Sequence, residues 1–330
     1  MVTELETRIR RRLDSLTKPQ GSLGRLEELA LQVGLIQGTD MPAIGRKAML
    51  LFCADHGVVE EGVSPFPQEV TAQMVANFRA GGAAITVLCR QYGIEPVIVD
   101  LGIGKPTRNF AREPAMSKDE AQRAIETGIQ HADDGDVLGA GEMGIGNSTA
   151  AAALLCAFTG VSPIEAAGRG TGLDDAGVAR KADVIARALA LHRVDRNDAI
   201  GVLAALGGRE IAAIVGLILG AAQKRRVVVL DGFISCSAAL VVRAMEPAAL
   251  DYVVYSHCSA ERGHQRMLES LGARPLFDLD MRLGEGSGAA IGISLVESAV
   301  RLYREMATFD GAGVSTAAEK PAVSPTASEP

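Results

Sequence analysis

Apolar positions along the chain follow two rhythms. Leu5, Ile9 and Leu13 form a stripe at helical spacing across Val2 to Leu16, and Leu23 to Ile36 carries a second amphipathic run. Lys18-Pro19-Gln20-Gly21 reads as the turn between them. Beyond these, short apolar bursts occupy Lys47 to Cys53, Pro96 to Val99, Asp136 to Leu138, Val227 to Leu230, Tyr252 to Tyr255 and Pro275 to Leu279. Alanine-rich stretches of helical character separate them, so the pattern predicts an α/β fold with buried parallel strands and crossover helices.

Each burst runs into polar or glycine-rich sequence: Ala54-Asp55-His56-Gly57, Asp100 to Gly104, Gly139 onward, Asp231-Gly232, Ser256-His257, and Asp280 onward to Gly286. Ligands of open parallel sheets bind beyond the carboxyl ends of the strands, so these tips are expected to converge on one site. The mainly apolar stretch Ala199 to Gln223 is interrupted by Gly207, Gly208, Arg209 and Glu210. It falls short of a membrane span and reads as a buried helix pair. The tail from Asp310 is rich in Ala, Ser, Pro and Gly without an apolar face, which predicts disorder over 310–330.

Composition narrows the function. At 330 residues, 48% of them hydrophobic, the chain can bury one large core with a smaller annex. Aromatic residues make up 4%, with no Trp, and the formal net charge is −7 with the basic residues scattered, so no nucleic-acid partner is expected. The opening residues mix acid and base without the apolar stretch of a signal peptide, which predicts a cytoplasmic protein with no membrane partner. Cys53, Cys89, Cys156, Cys236 and Cys258 form no C-x-x-C pair and read as core thiols.

The densest chemical signal is GAGEMGIGNST from Gly139, running into the predicted helix Ala150 to Phe158. Gly139, Gly141 and Gly144 satisfy the dinucleotide spacing G-x-G-x-x-G, which keeps a nicotinamide-dependent oxidoreductase open as an alternative. Gly141 to Gly146 has P-loop spacing but lacks the lysine, and no acid ends a strand ~20 residues on. What remains is a close-approach glycine loop with Asn147, Ser148 and Thr149 at a helix start, suited to a monophosphate. GRGTGLDD, from Gly168, reads as a second wall, with Lys181 either a phosphate partner or a solvated helix-end lysine. In LGEGSG, from Leu283, Glu285 reads either as a desolvated general base or as a helix-capping acid. His56, His257, Asp231 and Ser256 show neither a nucleophile elbow nor metal-ligand spacing, so no metal is expected.

Together, KPQGSLGRLE from Lys18, CADHGV from Cys53, GEMGIGNST from Gly141, LDGF from Leu230, SHCSAE from Ser256 and MRLGEGSGAA from Met281 resemble one family. It is that of the nicotinate-nucleotide:dimethylbenzimidazole phosphoribosyltransferases, which make α-ribazole 5′-phosphate for the lower ligand of cobalamin. The resemblance runs from Lys18 to about Ala290. It implies a homodimer whose subunit has a large Rossmann-like parallel-sheet domain, 41–288, and a small helical domain from 1–40 and about 289–309. By motif position it implies Glu285 as catalytic base and Glu142 as a second acid. It also implies Gly144, Lys181 and Ser259 at the nucleotide phosphate region, beside Gly146, Asn147, Ser148 and Gly170 of the glycine loops. Some members place serine and glutamine beside the base where this chain has Phe66 and Met74, so a more apolar base pocket is expected. The substrates implied are nicotinate mononucleotide and a benzimidazole, with no cofactor. A non-catalytic nucleotide sensor is the remaining alternative.

Overall fold

The computed structural model describes residues 3–170 and 172–315. Five strands, β1 (Lys47–Cys53), β2 (Glu95–Asp100), β3 (Val137–Met143), β4 (Val227–Leu230) and β5 (Val253–Tyr255), form one parallel sheet in the order β2-β1-β3-β4-β5. Helices cover both faces: α1 (Glu4–Ser15), α2 (Arg25–Gln37), α3 (Val70–Ala80), α4 (Ala84–Tyr92), α5 (Lys118–Gln130), α6 (Asn147–Thr159), α7 (Pro163–Ala166), α8 (Asp175–His192), α9 (Ala199–Leu206), α10 (Arg209–Lys224), α11 (Phe233–Met245), α12 (Arg262–Leu271), α13 (Ser287–Glu305) and α14 (Phe309–Ala312).

The pleat of β1 shows why the bursts are continuous rather than alternating. Ala48, Leu50 and Phe52 enter one core with α5, α6, α10 and α11, while Met49, Leu51 and Cys53 enter another with α1, α2, α4 and α13. Both faces are dry, so every position of the strand after Lys47 must be apolar. The four cysteines Cys53, Cys89, Cys156 and Cys236 are buried and Cys258 is half-buried, as core thiols. The stretch Ala199 to Gln223 is the expected pair, α9 and α10, broken at Gly207-Gly208.

Two expectations change. Pro275 to Leu279 is not a strand: only Phe277 bridges His257, because Pro275 has no N–H to donate and the chain turns away through Asp278 and Asp280. The third strand is longer than its apolar burst and continues through Gly139 and Gly141 to Met143. Of the tail, Asp310–Ala312 lie in α14, capped by the Thr308 hydroxyl, and the expectation for 316–330 falls outside the described residues.

Helices α1 and α13 meet on one sheet face. Arg12 donates from Nε and Nη2 to the carbonyls of Tyr303 and Arg304, each at 3.0 Å, and the Tyr303 hydroxyl donates to the Asp40 carbonyl at 2.6 Å. Ile9, Leu13 and Leu16 share their core with Val296, Val300 and Tyr303. The predicted turn is stitched by a buried ion pair between Lys18 Nζ and Glu27 Oε1 at 2.8 Å. No helix among the described residues is long and apolar enough to cross a membrane.

Candidate active site

From β1 the chain crosses by α3 and α4 to β2 on one side, whereas β3 lies on the other side of β1. This is the topological switch point where a crevice opens at the carboxyl edge of a parallel sheet. A cavity of about 730 Å³ sits there, walled by segments that follow β1, β3, β4 and β5.

The floor comes from β3. After Met143 the chain turns through Gly144-Ile145-Gly146, with φ +98° at Gly146, and α6 starts at Asn147. A Cβ on Gly144 would stand 2.4 Å from the Ala54 carbonyl oxygen, so only glycine lets this turn lie against the exit of β1. The start of α6 lies at the cavity: its Asn147 and Thr149 N–H groups donate to the Gly144 and Gly146 carbonyls at 3.1 and 3.0 Å, and the positive end of the helix dipole makes an anion cradle there. Gly144, Gly146, Asn147 and Ser148 all line it.

Gly139 and Gly141 do not. Both are strand residues, and a Cβ on Gly139 would meet the Met49 side chain at 2.3 Å, while one on Gly141 would meet the Glu285 carbonyl oxygen at 2.7 Å. Two of the three glycines that suggested a dinucleotide loop thus serve close packing across the sheet. The oxidoreductase alternative loses the feature on which it stood.

Gly170, φ +51°, supplies the second wall. Behind it Lys181, from α8, is fully buried and not solvated, and its Nζ donates to Ser148 Oγ at 2.9 Å. Burial pushes the Lys181 ammonium down to about 8, partly opposed by the Glu261 charge. Lys181 itself does not line the cavity but stands one residue behind it, whereas Ser259 and Glu261 do line it. His264 Nδ1 accepts the Ser259 N–H at 2.8 Å, and Glu261 donates its N–H to Ser259 Oγ at 3.3 Å.

Glu285 closes the site opposite. Gly284, Glu285 and Gly286 have φ of 82°, 62° and 86°, so a glutamate sits in the left-handed region at a cost of about 1 kcal/mol or more. Its Oε2 is buried and, among the described residues, has no hydrogen-bond partner. Burial raises its proton affinity above the ordinary carboxylate range, the Asp231 charge adds to this, and the Ile85 N–H acts the other way. The Glu285 N–H donates to Glu142 Oε1 at 3.3 Å, and Asn147 Nδ2 donates to Glu142 Oε2. Glu142 is pushed up to about 8, first by burial and then by the charges of Asp231 and Glu210. Like charges held close cannot both ionise cheaply, so burial and its acidic neighbours favour the protonated form of Glu142, against the two N–H donors on its oxygens.

The acid that caps α13 is Asp231, not Glu285. Asp231 Oδ1 accepts from the N–H groups of Gly288 at 2.6 Å and Ala289 at 3.1 Å, and Oδ2 accepts from Gly286 at 3.2 Å. Sequence reasoning placed Asp231 at a strand tip without giving it a site role. It weighed His257 and Asp231 only as triad or metal candidates and gave no role to Glu261 or Arg282; all four line the cavity, and the signal for Asp231 and His257 was their place directly after β4 and β5. No hydrolytic triad forms: the Ser256 hydroxyl donates to the Asp231 carbonyl, and His56 pairs with Glu210 at 2.7 Å beneath Gly144. Val63, Phe66, Val70, Met74 and Met143 make the remaining, apolar wall, with Phe66 45% exposed at the mouth.

An anion cradle, buried carboxylates and an apolar wall at one sheet rim define an enzyme that handles a phosphorylated sugar bearing a flat ring. The chain belongs to the phosphoribosyltransferase family, whose model matches residues 1–314. More particularly, it is similar to nicotinate-nucleotide–dimethylbenzimidazole phosphoribosyltransferases. That of Cupriavidus necator is 52% identical, covering 92% of this chain and 94% of the relative. That of Chloroflexus aggregans is 50% identical, covering 94% and 93%. The crystal structure of CobT from Thermus thermophilus superposes with a TM-score of 0.90 at 42% identity, covering 96% of this chain and all of that one.

Proposed function

We propose that this chain moves the 5-phosphoribosyl group of nicotinate mononucleotide to 5,6-dimethylbenzimidazole, giving α-ribazole 5′-phosphate and nicotinate for cobalamin assembly. The observation that carries the reading is the buried Glu285 carboxylate, whose Oε2 has no hydrogen-bond partner among the described residues, in the same cavity that the start of α6 lines. The 5′-phosphate sits at the positive end of α6, beside Gly146, Asn147 and Ser148, with Lys181 lending charge through Ser148. Gly144, Gly170 and Ser259 complete that end, and the base lies against Phe66 and Met74.

The pyridine nitrogen of the mononucleotide is already quaternary. When the C1′–N bond breaks, its electron pair returns to that nitrogen and neutral pyridine leaves, so no pyrophosphate needs a metal ion. One ring nitrogen of the benzimidazole attacks C1′ from the opposite face, inverting the anomeric centre, while Glu285 takes the proton from the other ring nitrogen. The proton then passes from Glu285 to solvent. Glu142, protonated, keeps a second negative charge away and ties the Glu285 loop to α6. Fixing the phosphate fixes the ribose for in-line attack.

The same reading includes a homodimer in the cytoplasm, with 1–40 and about 289–309 as a small helical part beside the large α/β part, 41–288. The test is release of nicotinate from the mononucleotide with and without 5,6-dimethylbenzimidazole. Base-dependent release supports the assignment, and intact mononucleotide after long incubation would instead mark a sensor.

A further inference from the structure

We propose that Asp231 is the positioning residue of the site, holding the Glu285 loop in its strained shape from the neighbouring strand tip; this rests on the reading of Glu285 as the base. Asp231 follows β4 directly and is 2% exposed. Both of its oxygens are committed to main-chain N–H groups of the segment that carries Glu285, at Gly286, Gly288 and Ala289. Its own carbonyl accepts the Ser256 hydroxyl at 2.8 Å, which fixes it to the tip of β5.

Three consecutive positive φ angles do not persist unaided, because a glutamate relaxes out of that region when the surroundings permit. The carboxylate of Asp231 supplies the restraint: a negative group at the start of α13 satisfies donors that would otherwise be orphaned and sets the angle at which the helix leaves the loop. Gly288 permits the contact, since a Cβ there would stand 2.3 Å from His257 Cδ2 and 2.8 Å from Asp231 Oδ1. The charged and titratable groups around Asp231 are His257, whose Nε2 is 3.7 Å from Oδ1, Glu142 on β3, Glu285 itself, and the Cys236 thiol on α11. His257 is held in place by stacking on Phe277 at 5.7 Å. Burial pushes the Asp231 carboxyl up, while the His257 charge and the three N–H groups favour its charged form, so Asp231 acts on Glu285 through the main chain and, when ionised, through its charge.

The experiment is a cycle of Asp231→Asn, Glu285→Gln and the double variant, each assayed for kcat and KM against pH with nicotinate mononucleotide and 5,6-dimethylbenzimidazole. Asp231→Asn is expected to lower kcat roughly tenfold to a hundredfold with little change in KM for the mononucleotide. It should also move the acid limb of kcat to lower pH, since removing a negative neighbour eases ionisation of Glu285. In the Glu285→Gln background the same change should cost almost nothing further. Multiplicative losses, or an unmoved acid limb, would overturn the positioning role while leaving the base reading intact. Near-normal turnover of Glu285→Gln alone would instead remove the base. If Asp231→Asn does not fold by circular dichroism, Gly288→Ala separates the same partners while keeping the charge. It should lower kcat without moving the limb, and full kcat there counts against the proposal.

Discussion

Gly141 and Glu285 are pressed together so closely that a methyl group on the glycine would stand 2.7 Å from the glutamate carbonyl oxygen. The strand therefore does more than deliver Glu142 to the floor. It is the surface on which the loop bearing the second carboxylate rests.

Gly141→Ala should consequently cost about 1–3 kcal/mol of stability through overpacking and displace Glu285. Turnover is expected to fall while the mononucleotide still binds. Chemical denaturation and isothermal titration check the two parts, and unchanged turnover in a folded variant would contradict the contact.

Glu285→Gln should reduce kcat roughly a hundredfold or more with the fold intact. Because burial and the Asp231 charge raise its proton affinity, the wild-type acid limb should lie above the ordinary carboxylate range. Below that limb Glu285 is protonated and cannot accept the ring proton. A limb at ordinary carboxylate pH would show that Glu285 is not the group titrating.

Glu142 gives a stability prediction with a definite sign. Its folded-state value is raised from 4.5 to about 8, so its contribution is full below about 4.5 and is lost as pH rises through about 8. Glu142→Gln should thus gain on the wild type in melting temperature as pH increases across that window. Parallel melting curves at every pH would refute it.

Lys181→Met is expected to raise KM for nicotinate mononucleotide roughly tenfold, leaving kcat at saturation nearly unchanged. The ammonium is held down to about 8, so wild-type affinity should weaken above that pH and the variant should show no such dependence. Equal pH profiles would exclude Lys181 from the phosphate end.

The apolar wall of Val63, Phe66, Val70, Met74 and Met143 should reward the two methyl groups of 5,6-dimethylbenzimidazole. A preference over benzimidazole of roughly tenfold or more is expected from methyl burial alone. Met74→Gln should narrow it, as competition assays would reveal.

Much of this was legible before any coordinates. The five strands lay under apolar bursts because both sheet faces are dry, and the tips at Gly144, Asp231, His257 and Glu285 converged on one cavity, while Ala54 to Gly57 and Asp100 to Gly104 do not line it. The sixth burst failed because Pro275 cannot join a ladder, which hydrophobicity alone conceals. Gly139 and Gly141 looked like loop residues because strand glycines that admit a neighbour's backbone read no differently from turn glycines. The Asp231 cap was invisible for another reason: it joins residues more than fifty positions apart, and no local pattern encodes it. Lys181 was ambiguous by spacing, and only its burial behind Ser148 decided against a solvated side chain.

Helix α13 begins at Ser287, two residues past Glu285, and ends near Tyr303 and Arg304, which Arg12 and Asp40 grip through their carbonyl and hydroxyl groups. Nineteen residues make a rod of roughly 28 Å. The Glu285 loop is thereby levered from the far end of the molecule, so that loosening Arg12, remote from the cavity, should be felt as a wandering of Glu285.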